Sequence, residues 1–311
     1  MTIDNYLRQP GCARFPFLFV ITFGRSGSTL LQGILNSIPG YCIRGENNST
    51  LFQLFNASCM HAEAHWDHGR KKTDTAHAWF GADLLDPKHF RRTLTDTFLQ
   101  TCLRPGSDTR CTGFKEIRYT PNIIDDSQFS SYLQFLQTEF PGAALVFNVR
   151  RIDDVVRSAW WADQPPEAVR KLLIATVARF DAYAEAHPNC FIFDYDRLID
   201  DSTYCAGLFD FLGEPFDPEA LEAVLSKPHS YQPRPSGDDR NSVQQTPVPN
   251  PSPDLKSRPP ERHRECLKAQ SIQPDSDVSD VKVGRSGSED AVRPKATSPR
   301  RFIQRLLRTG P

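Results

Sequence analysis

The sequence predicts an α/β fold, a central parallel sheet with helices on both faces, followed by a long tail that does not order itself. Three observations carry this expectation. Continuous apolar runs rich in β-branched and aromatic residues recur at Phe17–Ile21, Ala144–Val149 and Cys190–Tyr195, the pattern of strands buried on both sides. Stretches with apolar residues at helical spacing lie between them, and strands alternating with helices imply a parallel sheet. Behind Pro233 the polymer changes character: 12 of the 25 prolines fall there, with 15 Lys and Arg against 10 Asp and Glu. The first 232 residues therefore carry a net charge of −6 and the remainder +5.

Taken in order, the Phe17–Ile21 strand runs into a Gly/Ser turn and then into Thr29–Asn36, whose apolar positions suit a helix that Pro39-Gly40 stops. A second strand is predicted near Gly113–Ile117. A helix over Ser130–Glu139 ends at Pro141-Gly142 and delivers the chain into the Ala144–Val149 strand. A helical stretch follows through Trp161, and Glu167–His187 forms a long amphipathic helix with Leu172, Leu173, Thr176, Phe180 and Tyr183 near 3.6-residue spacing. After the Cys190–Tyr195 strand, helices over Asp201–Leu212 and Pro218–Ser226 complete a domain spanning 1–232. Residues 56–95, with five histidines and two tryptophans and no clear strand, read as an irregular or helical insertion over the sheet edge. The segment 233–299 is too poor in apolar residues to bury a core. Within 300–308, Phe302, Ile303, Leu306 and Leu307 oppose four arginines, which makes either a short basic helix in weak contact with a membrane or a protein, or a frayed end.

Composition excludes several classes of function. A net charge of −1 over 311 residues gives no reason to expect a nucleic acid partner. The longest apolar run, Phe15–Phe23, is too short to span a bilayer, and Met1–Pro16 lacks the apolar core of a secretory signal. Eight cysteines without a C-x-x-C pair point to free thiols rather than to a zinc site, and cytoplasm is the expected location.

The segment with the most chemical content is Phe19-Val20-Ile21-Thr22-Phe23-Gly24-Arg25-Ser26-Gly27-Ser28-Thr29-Leu30-Leu31. A strand enters a glycine-containing turn that opens a helix. Successive backbone N–H groups then converge on one spot, which suits an anion, although Gly and Ser are also ordinary turn residues. A nucleoside triphosphatase loop would need G-x-x-x-x-G-K-[ST]; here Gly27 is followed by Ser28 with no lysine, and the basic residue is Arg25, ahead of the turn.

Gly24-Arg25-Ser26-Gly27-Ser28-Thr29-Leu30-Leu31 resembles the 5'-phosphosulfate loop of sulfotransferases that use 3'-phosphoadenosine 5'-phosphosulfate (PAPS), in the arginine-bearing form of bacterial and carbohydrate-directed members. The resemblance implies a three-layer P-loop-like fold over about residues 15–230. It also implies a second signature, an arginine and a serine eight residues later, holding the donor's 3'-phosphate. Arg150 and Ser158 match it directly after a predicted strand, with Arg151 the substitute if the register slips by one. The glycine-rich, lysine-bearing C-terminal loop of cytosolic small-molecule sulfotransferases has no convincing equivalent. A second Gly-Arg-Ser-Gly-Ser, at Gly284–Ser288, has no strand before it and reads as coincidence.

The same resemblance implies the roles. Arg25 would face the bridging oxygen of the leaving phosphate, acting electrostatically because a guanidinium gives up no proton. Ser26, Gly27, Ser28 and Thr29 would hold the 5'-phosphate, and no metal is required. Glu46, in Arg44-Gly45-Glu46-Asn47-Asn48, is the candidate base for an acceptor hydroxyl or amine; the alternative is a turn carboxylate, and His61 and His65 are rival bases. Lys115, in Gly113-Phe114-Lys115-Glu116-Ile117-Arg118, is a candidate contact to the transferring sulfate. Trp160 and Trp161 would stack on adenine or a sugar, or pack in the core. The expected acceptor is a glycan or another hydroxylated small molecule, and the product nucleotide is 3'-phosphoadenosine 5'-phosphate (PAP). Two other readings stay open: a divergent nucleotide kinase, and a relative that binds nucleotide without catalysis.

Overall fold

A computed structural model describes residues 1–227. The expected tail 233–311, its basic helix 300–308 and the repeat at Gly284–Ser288 lie outside the described residues. In chain order the elements are α1 (Ile3–Leu7), β1 (Phe17–Ile21), α2 (Ser28–Ser37), β2 (Tyr41–Arg44), α3 (Thr50–His68), α4 (Pro87–Phe98), β3 (Cys111–Glu116), α5 (Asp126–Glu139), β4 (Ala143–Val149), α6 (Ile152–Val156), α7 (Pro166–Ala186), β5 (Cys190–Asp194), α8 (Tyr195–Asp200), α9 (Cys205–Leu212) and α10 (Pro218–Leu225).

The five strands form one parallel sheet in the order β2-β3-β1-β4-β5. Alternation along β1 explains why it is apolar at every position. Phe17, Phe19 and Ile21 enter the core built with α1, α3, α5 and α7, whereas Leu18 and Val20 enter the one built with α2, α9 and α10. All five side chains are fully buried, each such burial contributing roughly 1.5–3 kcal/mol. The expected three-layer α/β architecture is thus found. Because β1 pairs with β3 on one side and β4 on the other, the chain's direction of travel across the sheet reverses at β1. In parallel sheets that is where a crevice opens at the carboxyl ends of the strands.

The structure adds to the sequence reading in four places. Four residues after Pro39-Gly40 form the edge strand β2, too short to leave a periodic signal. Its last residue, Arg44, folds over the strand end and donates from Nε to the Leu103 carbonyl at 2.8 Å and from Nη2 to that of Arg104 at 3.1 Å. The 56–95 insertion is largely helical, within α3 and α4. The helical stretch after β4 is broken: α6 ends at Val156, Ala159 takes a left-handed φ of 50°, and a single 3-10 turn carries Trp160 and Trp161. Tyr195 opens α8 rather than ending β5, because Asp194 caps that helix by accepting from the Asp196 and Arg197 N–H groups.

One half-buried carboxylate lacks support. Asp181 of α7 has an Oδ2 screened from solvent with no hydrogen-bond partner among the described residues. Burial, and secondarily the Glu185 charge, push its pKa up to about 6. With the folded value above the unfolded one, the native state is favoured while the group is protonated, and that advantage is lost as pH rises from about 4 through about 6. Asp181→Asn should therefore stabilise the protein at pH 7.5 by about 1 kcal/mol, after allowance for solvent screening. In urea unfolding the gain should vanish at pH 4; an equal gain at both values would show that ionisation is not the cause.

Candidate active site at the carboxyl edge of the sheet

The loop leaving β1 is shaped by two left-handed residues, Arg25 (φ 69°) and Gly27 (φ 82°). Gly27 is the N-cap of α2 and supplies no side-chain cap, so the first N–H groups of that helix stay open to an anion. A Cβ on Gly27 would run into the Tyr195 ring, and one on Gly24 into Trp160. Both positions need glycine because aromatic side chains close over the backbone. Arg25 and Thr29 are exposed and Ser28 is buried at the helix start. Ser26 is completely buried, with its hydroxyl turned to the sheet 2.7 Å from Thr22 Oγ1, so what it offers the crevice is its N–H.

The segment after β4 is fastened directly onto this loop. Thr22 Oγ1 donates to the Asn148 carbonyl at 2.6 Å, and Asn148 Nδ2 donates to the Ser26 carbonyl at 2.8 Å. Arg150 Nη1 donates to the Arg25 carbonyl at 3.2 Å, and Arg25 Nε donates to Ser158 Oγ at 3.0 Å. Trp161 Nε1 donates to the Gly24 carbonyl at 3.0 Å. Arg150 also lies 4.7 Å from the centre of the Tyr195 ring, and its buried Nε has no partner among the described residues. Arg151 turns away: its N–H donates to Asp196 and its exposed guanidinium approaches Asp154 at 3.6 Å. Of the two arginines it is thus Arg150 that shares the loop with Arg25 and Ser158. Trp161 is a buried anchor, and the half-exposed Trp160 stands against Gly24.

A second cluster sits on the neighbouring strand. Lys115 Nζ donates to Glu46 Oε1 at 2.7 Å, with the lysine buried and the carboxylate about one-third exposed. Arg118 Nη1 lies 3.7 Å from the other Glu46 oxygen. Glu116, which faces the opposite side of β3 from Lys115 by strand alternation, is almost fully buried. Its Oε2 accepts from the N–H groups of Asn47 (3.2 Å) and Ser49 (2.9 Å). Its Oε1 accepts from Ile117 N (2.9 Å) and Arg118 Nη1 (2.8 Å). The Thr22 N–H donates to the Glu116 carbonyl at 3.2 Å, which ties this strand end to the start of the β1 loop. His61 and His65 serve the insertion instead: His61 stacks on Phe90 at 4.2 Å and His65 Nδ1 lies 3.4 Å from the Ala82 carbonyl. Burial, and then the His65 charge, lower the His61 pKa.

Two groups of side chains therefore stand at the carboxyl ends of the strands: Arg25 of the β1 loop with Arg150 and Ser158 from the segment after β4, and Glu46 with Lys115 at the end of β3. Thr22, Asn148, Glu116 and Tyr195 carried no role in the reading of the sequence. Asn148 had a legible signal, as a carboxamide inside an otherwise apolar strand. Replacing Thr22 by Val should leave the fully buried Ser26 hydroxyl and Asn148 carbonyl short of a partner, costing about 1–3 kcal/mol in urea unfolding. A loss below about 0.5 kcal/mol would show that the network contributes little to the fold.

The model of the sulfotransferase family matches residues 16–218. Among solved structures, the chain is similar to the sulfotransferase domain of the Synechococcus PCC 7002 olefin synthase, at 18% identity and a TM-score of 0.43, over 86% of this chain and 92% of that one. It is likewise similar to the sulfotransferase domain from the curacin biosynthetic pathway, at 14% identity and a TM-score of 0.44, over 85% and 99% of the two chains. No curated protein matches. With the matched region running from just before β1 to the start of α10, and both site loops inside it, the chain belongs to the sulfotransferase family.

Proposed function

We propose that the protein transfers a sulfuryl group from PAPS to a hydroxyl or amine of a carbohydrate or another hydroxylated small molecule. The observation that carries this reading is the fastening of Arg150 and Ser158 onto the loop that bears Arg25. Two guanidinium groups and the uncapped N-terminus of α2 then lie around one loop, which suits a donor carrying several negative charges. The α2 amides and Thr29 would take the 5'-phosphate, and Arg150 with Ser158 the 3'-phosphate. Arg25 would lie against the oxygen bridging phosphorus and sulfur, where negative charge grows as that bond breaks. Its guanidinium stabilises the charge without giving up a proton.

In the transfer itself the acceptor oxygen or nitrogen attacks sulfur, the sulfur–oxygen bond to the phosphate breaks, and PAP departs with the electron pair. The acceptor's proton passes to Glu46, which Lys115 holds in place through a 2.7 Å ion pair. Catalysis of this kind rests on positioning and charge stabilisation. The kinase alternative would need a cation to replace the lysine that is missing after Gly27.

Thermal unfolding in the presence of PAP, or of ATP with magnesium, separates these readings. PAP at about 100 times its dissociation constant should stabilise the native protein by roughly 2.7 kcal/mol. Arg25→Ala and Arg150→Ala should each remove that stabilisation. Stabilisation by magnesium-ATP and none by PAP would replace the sulfotransferase reading with the kinase one. Labelled PAPS offered with a panel of sugars then identifies the acceptor, and PAP binding without turnover on any of them would mark a non-catalytic relative.

A further inference from the structure

We infer that Glu116 is a positioning residue for the transfer, setting the place of the Glu46 carboxylate from behind; this rests on the reading of Glu46 as the base. The loop from β2 to α3 is a costly one to hold. Asn48 and Ser49 are consecutive non-glycine residues with left-handed φ values of 55° and 58°, a region that strains residues bearing a side chain. Among the described residues, the group that holds the two flanking amides is one buried carboxylate oxygen, Glu116 Oε2, at 3.2 Å from Asn47 N and 2.9 Å from Ser49 N. Bonds from amides to an ionised acceptor in a buried site are of the strong kind, enough to offset that strain.

Glu46 immediately precedes this clamped turn, so the clamp fixes where its side chain starts. The other Glu116 oxygen fixes Arg118, which lies 3.7 Å from Glu46 Oε2, while Lys115 holds Glu46 Oε1 at 2.7 Å. Adjacent residues on β3 thus govern one carboxylate from both faces of the strand: Lys115 directly, Glu116 through the backbone and through Arg118. The Thr22 N–H on the Glu116 carbonyl gives this arrangement the same origin as the donor loop. Glu116 is almost completely buried, so its own carboxylate stands apart from the reacting atoms and acts through Glu46.

The test is a double-mutant cycle on the full chain, read as turnover of labelled PAPS with a sugar panel and, in its absence, with water as acceptor. Glu116→Gln keeps the shape but loses the charge that holds both amides. It should lower kcat about 10- to 100-fold, with KM for PAPS within about twofold and PAP stabilisation intact. In a Glu46→Gln background the same substitution should cost almost nothing further, since its effect runs through Glu46. A repeat of the full loss in that background, a change confined to KM, or unaltered turnover would overturn the inference. Glu46→Gln alone tests the base reading separately: if it leaves turnover unchanged, that reading fails and Glu116 cannot be acting through it. Should Glu116→Gln not fold, Glu116→Asp, which keeps the buried charge but cannot span both amides, carries the same cycle with the same outcomes.

Discussion

The Asn148 residue, at the carboxyl end of β4, is the joint on which the loop between β1 and α2 depends. Its main-chain oxygen takes the Thr22 hydroxyl proton and its side-chain nitrogen reaches the Ser26 carbonyl, so a single buried residue ties the ends of two central strands and the turn between β1 and α2. Polar groups buried this deeply are costly unless paired, and pairing them with one another leaves the loop one low-energy shape. The exposed contacts of Arg25 with Ser158 and of Arg150 with the Arg25 carbonyl are long-lever interactions that would be weak alone. They persist because the backbone beneath them is fixed.

Aromatic side chains complete that fixation from outside. Tyr195 lies on Gly27 and beneath the Arg150 guanidinium, while Trp161 anchors Gly24 from its indole nitrogen and Trp160 covers the same glycine. Each ring contacts backbone where any side chain would collide, which explains why the loop has glycine at those two positions and serine or arginine between them. The left-handed turn at Ala159 brings the two indoles to the loop, at the cost of a strained residue.

Much of this was legible in the sequence. Strands β1 and β4 announce themselves because burial on both faces demands nearly unbroken apolar runs, and the Gly24–Leu31 motif is contiguous, so its residues could be recognised together. Arg150 and Ser158 were singled out by the resemblance to the sulfotransferase family, and the fold brings both to the loop that bears Arg25. Glu116 and Asn148 are different. Their significance lies in partners 67 to 126 residues away, which no local period encodes. Strand β2 escaped for another reason: an edge strand of four residues with one face open carries too few positions for alternation to stand out. The histidines of the insertion suggested chemistry by their residue type, but in the folded chain His61 and His65 pack against Phe90 and the Ala82 carbonyl.

The manner in which β2 ends bears on how this molecule can meet its neighbours. An outer strand is an invitation to further strands, since its unpaired rungs can accept a peptide or a second sheet. Here the invitation is brief, four residues long, and it is closed at one end by Arg44, whose guanidinium bends onto the Leu103 and Arg104 carbonyls and leaves a charged group at the margin. Growth of the sheet by lateral addition at that edge is thereby discouraged, so the sheet ends at β2 by the reach of one side chain rather than by a covering element.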